Sequence, residues 1–115
     1  MTPDQFATLA LSLPEAVESS HHGTRDFRVN SKVFATLGNP DAEWGVIKLT
    51  PELQDSFVEV LPEAFIPVPG GWGERGYTRV RLEQASEREI GSALTQAWKL
   101  VAPKRLIHRL DGFTI

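Results

Sequence analysis

The sequence predicts an α+β fold in which an antiparallel sheet is covered on one face by an N-terminal and a C-terminal helix. Three observations carry this. Apolar residues recur at helical spacing near both ends, as Phe6, Leu9, Ala10 and Leu13, and again as Ile90, Ala93, Leu94, Ala97, Trp98 and Val101. Between them lie short runs of two-residue alternation punctuated by Gly, Pro and Asn. The strand-like runs are grouped instead of alternating one by one with helices, which favours antiparallel pairing over a doubly wound parallel sheet.

Thr2-Pro3-Asp4-Gln5 starts the first helix: Thr2 is the N-cap, Pro3 sits where its missing N–H costs nothing, and Gln5 closes a capping box. Pro14 ends it. Residues 17–21 form a short strand, and His21-His22-Gly23-Thr24 turns into a second one through Val29. Asn30-Ser31 is a tight connection to the β-branched and aromatic run 33–37. Gly38-Asn39-Pro40-Asp41 turns the chain again, and residues 44–49 alternate as a further strand. Thr50-Pro51 repeats the cap-and-proline signal for a short helix carrying Leu53, Phe57, Val60 and Leu61, stopped by Pro62. Residues 64–68 read as an irregular strand. The glycine-rich stretch 69–76 reads as a mobile hairpin tip, followed by clear alternation over 77–82. Ser86 and Glu89 form a second capping box that opens the longest helix, and Pro103 closes it. The tail 106–115 is either packed or flexible; its apolar content favours packing on its own domain or a neighbour.

A chain of 115 residues fits one domain over 1–115 and excludes two-domain enzymes. With 41% hydrophobic and 23% charged residues it has the composition of a soluble globular fold. The absence of cysteine excludes disulfides, thiolate metal sites and cysteine nucleophiles. The N-terminus has neither the basic region of a signal peptide nor an unbroken apolar span, so the expected location is cytoplasmic, with no membrane partner. The net charge of −3 is uneven: residues 1–63 hold four Lys/Arg against ten Asp/Glu, and residues 64–115 hold eight against five. An acidic total counts against strong duplex binding, which draws its affinity from neutralising phosphates.

The run Phe27-Arg28-Val29-Asn30-Ser31-Lys32-Val33-Phe34-Ala35-Thr36-Leu37 resembles the F-x-V-x-x-K-x-F-A-x-L strand pair of the MmcQ/YjbR-like proteins. Leu13-Pro14-Glu15-Ala16, the aromatic strand near Tyr77, and the last helix ending Trp98-Lys99-Leu100-Val101-Ala102-Pro103-Lys104 also sit where that family has them. The resemblance spans residues 2–106. It implies a CyaY-like α+β fold and a protein of the kind commonly labelled DNA-binding. Two stretches depart from the family pattern: Gly71-Trp72-Gly73-Glu74-Arg75-Gly76 stands where an Asn-Lys pair and a Trp are frequent, and Ala97-Trp98 where a Ser-Tyr pair is. Arg75 is the substitute this chain offers for a phosphate-contacting lysine. The similarly folded frataxins attract iron with an acidic ridge on and after the first helix; here that helix holds only Asp4, with Glu15 and Glu18 beyond the proline, so iron is not supported.

Side-chain alternation gives the sheet an open face. With Phe27, Val29, Val80 and Leu82 in the core, Arg28, Tyr77, Arg79 and Arg81 point outward, joined by Trp44, Val46 and Lys48. Lys32 and Phe34 join them if Val33, Ala35 and Leu37 are core. That face sets five cations against two acids, Glu18 and Asp26, with Phe34, Trp44 and Tyr77 interleaved, and Trp72 and Arg75 stand at the adjoining tip. Cations neutralise phosphates and flat rings stack on bases, so the pattern fits single-stranded DNA or RNA. The expected nucleic-acid residues are Arg28, Lys32, Trp44, Lys48, Trp72, Arg75, Tyr77, Arg79 and Arg81. The plainer reading is that outward charges are normal on a half-buried sheet and that the tail or a second subunit covers the aromatics, as in a protein-interaction module forming a homodimer or a heteromeric contact.

No catalytic, cofactor or metal site is expected. His21 and His22 are adjacent, so in a strand their rings point to opposite faces. The glycines of 70–76 lack phosphate-loop spacing, and no serine sits in a nucleophile elbow. Glu52, Asp55 and Glu59 read as a solvated helix face. The expected class is a small non-enzymatic binding domain.

Overall fold

Two tight turns set the sheet. His22 and Gly23 have φ of 50° and 77°, and Asn30 and Ser31 have 53° and 64°. Both are therefore two-residue connections with left-handed central residues, the kind whose twist matches a hairpin. They join β1 (Val17–His21) to β2 (Thr24–Val29), and β2 to β3 (Lys32–Leu37). With β4 (Trp44–Lys48), β5 (Phe65–Pro67) and β6 (Tyr77–Arg81) they make a six-stranded antiparallel sheet in the order β1-β2-β3-β4-β6-β5. The computed structural model describes residues 1–112.

Helix α1 (Pro3–Leu11) begins with the capping box expected of Thr2 and Gln5, and α4 (Glu87–Val101) with that of Ser86 and Glu89. The two pack together on one face of the sheet, with Phe6, Ile90, Leu94 and Trp98 fully buried and Leu9 packed against them half-buried. The indole Nε1 of Trp98 donates to the Pro14 carbonyl at 3.0 Å, so the turn after α1 supplies the partner that a buried tryptophan needs. The fold is the expected α+β arrangement of an antiparallel sheet with its terminal helices.

Four segments differ from expectation. Helix α1 stops at Leu11 with Ser12 as its cap, leaving Leu13 in the turn. The irregular strand contracts to the three residues of β5. The glycine-rich stretch is not a bare tip: Gly71–Glu74 close a helical turn, α3, inside the β5–β6 connection. Gly73 lies so close to the Val68 carbonyl that a side chain has no room there. Beyond Pro103 the chain forms α5 (Lys104–Gly112), because Pro103 precedes a new helix as well as closing the old one. Leu106 is buried in the common core, and Arg105 pairs with Glu15 at 3.0 Å. Residues 113–115 of the expected tail lie outside the described residues.

A bulge in β3 changes which residues reach the open face. Ala35 pairs with Phe27 and Val33 with Arg28, so Phe34 has no partner of its own. Phe34 and Ala35 are both buried, and the alternation resumes one step out of phase. Val33 then shares the face of Arg28, while Lys32 pairs with Val29, whose side chain is in the core. Contrary to the simple alternation, Phe34 is a core residue and Lys32 stands on the helix-side rim.

Helix α2 (Pro51–Val60) is tied to the far end of the sheet by one buried side chain. Gln54 Nε2 lies 3.0 Å from the carbonyls of Gly73 and Tyr77 and 3.1 Å from Thr78 Oγ1. Gly76, at φ 107°, packs its α-carbon against the Leu49 carbonyl where a side chain would overlap it. These contacts fix α3 and the start of β6 against the end of β4.

Candidate functional site

The face without helices is built from cross-strand pairs of cations and rings. Trp44 of β4 pairs with Arg81 of β6, and the guanidinium lies 4.3 Å from the indole centroid. Lys48 pairs with Tyr77 at the other end of the same two strands, its Nζ 5.9 Å from the ring centre. Between them Val46 pairs with Arg79, which on its other side pairs with Ile66 of β5. At the margin, Trp72 on α3 meets Tyr77 edge-to-face at 5.1 Å, and Arg75 lies 5.3 Å over the Trp72 ring. Contacts of this kind hold a cation over a ring without neutralising it.

Arg28 behaves differently. Its Nε and Nη2 donate to the two oxygens of Asp26 at 2.8 and 2.9 Å, a bidentate pair along one strand. Asp26 is fully buried although it belongs to the open face, and His21 Nδ1 adds a third contact at 3.0 Å. The hydrogen bonds from Arg28, then those with His21, hold the Asp26 carboxyl below the usual range against the opposing effect of burial. Glu18 is absent from this face: it pairs across β1–β2 with core-facing Phe27 and binds Arg25, which also reaches Asp4 of α1. Among the described residues, Lys48, Arg75, Arg79 and Arg81 have no carboxylate partner.

Of the nine residues expected at a nucleic-acid site, six therefore share the face (Arg28, Trp44, Lys48, Tyr77, Arg79 and Arg81), and Trp72 and Arg75 adjoin it. Arg28 is on it but neutralised, and Lys32 is on the other side. His21, Thr24 and Thr36 were not anticipated. They line a groove of about 380 Å³ on the same face, together with Lys48, Trp72 and Tyr77. The two-residue turn at His22-Gly23 carries the missed signal, since it sets His21 opposite Thr24 and so beside Asp26. A second groove, of about 560 Å³, lies between α2 and α4 and is lined by Phe57, Val60, Leu61 and Arg88 among others. It is remote in sequence and element from the paired rings and cations. Among the described residues, no three of His, Asp and Glu gather as metal ligands, and no helix is long and apolar enough to cross a membrane.

The YjbR family model matches residues 11–100 of the chain. No curated protein sequence matches it. Among solved structures, the chain is similar to Deinococcus radiodurans protein DR2400, which carries a DUF419 domain, with a TM-score of 0.72 and 19% identity. The likeness covers 86% of this chain and 77% of that one, and at such low identity it speaks for the fold.

Proposed function

The chain belongs to the YjbR family, and from that premise we propose that it is a cytoplasmic, non-enzymatic domain that binds single-stranded nucleic acid weakly through the open face of its sheet. The observation that carries the proposal is the pairing of Trp44 with Arg81 and of Lys48 with Tyr77 on neighbouring strands, with no carboxylate among the described residues opposing either cation. Each pair offers a phosphate oxygen a charge and a base a flat surface within one short span. The DNA-binding label implied by the family resemblance agrees in kind. Single strands suit the face better than a duplex, because the rings are usable only by unstacked bases. The net charge of −3 and the loss of Arg28 and Lys32 from the free cations limit affinity to the nonspecific range, a Kd of roughly 10⁻⁴ to 10⁻⁶ M.

A protein-interaction role is the competing reading, favoured by the exposure of Trp72 and Ile66 at the border of the same face. Titration with labelled single- and double-stranded oligonucleotides at two salt concentrations, alongside sizing of the free protein, separates the two. Salt-sensitive binding by a monomer supports the proposal. A flat titration with a dimer in solution replaces it with self-association.

A further inference from the structure

We infer that the groove between His21, Lys48 and Trp72 is a seat for one mononucleotide unit, a flat heteroaromatic ring joined to a phosphate. This rests on the open-face reading and narrows it to one pocket. The volume of about 380 Å³ falls within the ~300–1,000 Å³ usual for small-ligand sites. Among the described residues no Asp or Glu lines the groove, and Lys48 brings a cation without a carboxylate partner. Asp26, the carboxylate that holds His21, is fully buried and already satisfied by Arg28. An anion therefore enters without meeting a free negative charge, and a cationic ligand finds nothing to pair with.

The remaining lining selects a ring. Trp72 and Tyr77 stand at 90° to each other with centroids 5.1 Å apart, so a flat group entering beside them stacks on one and meets the edge of the other. Val33 and Val46 add apolar surface. Across the groove, Asp26 accepts from Nδ1 of His21 at 3.0 Å, which orients the imidazole and leaves Nε2 as the nitrogen available to a ligand. The hydroxyls of Thr24 and Thr36 line the same space, and no group among the described residues hydrogen-bonds to either. The oriented imidazole and the hydroxyls come from β1, β2 and β3, and the paired rings, with Lys48 beside Tyr77, form the other side. A nucleoside monophosphate presents the matching halves, whether free in solution or as one unit of a strand.

Calorimetric titration of the full chain with AMP, adenosine and inorganic phosphate, with amide NMR shifts to locate the contact, tests this. The expected result is one AMP per chain, with adenosine and phosphate each weaker by about tenfold or more, and shifts centred on Lys48, Trp72 and Tyr77. Lys48→Ala and His21→Ala should each weaken AMP by about tenfold, and Trp72→Ala by roughly fivefold or more, while Arg88→Ala on α4 leaves it unchanged. A single-stranded oligonucleotide titrated in parallel separates the two readings. If the oligonucleotide binds but AMP does not saturate at millimolar concentration, the groove is overturned and the open-face reading survives. If AMP binds and the oligonucleotide does not, the groove stands as a free-nucleotide site and the strand reading falls. AMP binding that ignores all three substitutions, or shifts mapping to the α2–α4 groove, overturns the assignment.

Discussion

Arg28 closes over Asp26 with two hydrogen bonds of 2.8 and 2.9 Å, on the sheet face that no helix covers. Residues two apart on a strand share a face, so the pair follows from β2 alone. It removes one cation from the free charge of the face and one anion with it. What remains positive is concentrated on β4, β6 and the end of α3, where Lys48, Arg75 and Arg81 lie beside rings and Arg79 stands between Val46 and Ile66.

The pair makes stability depend on acid. The folded carboxyl of Asp26 lies below its unfolded range, so its contribution is present above about pH 4 and is lost as pH falls through the folded value. Asp26→Asn should cost about 1–3 kcal/mol at neutral pH, because Arg28 and His21 lose their charged acceptor in a buried position. Denaturant melts at successive pH values should show the difference between variant and parent shrinking as pH falls below about 4. A constant difference across that window assigns the acid sensitivity to other carboxylates.

The core was legible where local rules dominate. Both capping boxes, the stripes of α1 and α4 and the two hairpin turns follow from residue type and spacing, because each is satisfied within a few residues of chain. The phase of β3 was not. Alternation carries Phe34 outward, whereas the bulge opposite Phe27 and Arg28 turns it into the core and moves Lys32 to the other side. A bulge is chosen by packing between strands, which spacing along one strand does not encode. The candidate site was legible as a set of residue types on β4 and β6. Its groove was not, because Trp72 reaches Tyr77 only once α3 is closed and Gln54 binds the carbonyls of Gly73 and Tyr77.

Trp98→Ala should destabilise the fold by about 3–5 kcal/mol. The side chain projects from α4 and is fully buried, and its loss also leaves the Pro14 carbonyl in the turn after α1 without its donor. A chemical denaturation midpoint within error of the parent would remove Trp98 from the centre of the core.

Gly76→Ala tests the junction that positions the face. The residue combines φ of 107° with direct packing on the Leu49 carbonyl, so an added methyl meets backbone on one side and torsional strain on the other. The expected cost is at least ~2 kcal/mol. Gly71→Ala, five residues earlier with open space around it, should cost far less and serves as the matched control. Equal destabilisation of the two variants would show that the close approach at Leu49 contributes nothing.

The functional proposal is most exposed in its salt dependence. Phosphate contacts release counterions, so the slope of log affinity against log salt counts them. Arg79→Ala with Arg81→Ala should reduce that slope for an oligonucleotide by about 1 to 2 units, since neither guanidinium has a carboxylate among the described residues to retain it. Trp44→Ala and Tyr77→Ala should weaken single strands by more than duplex, because each removes a stacking surface that paired bases cannot use. Arg28→Ala, whose charge is already committed to Asp26, should change the slope by less than either arginine of β6. The interaction-module reading predicts the opposite pattern. The aromatic substitutions would then shift the elution volume of the protein, and titrations would stay flat at low salt. A slope that survives loss of both Arg79 and Arg81 would place the phosphate contacts elsewhere on the molecule and retire the open face as the binding surface.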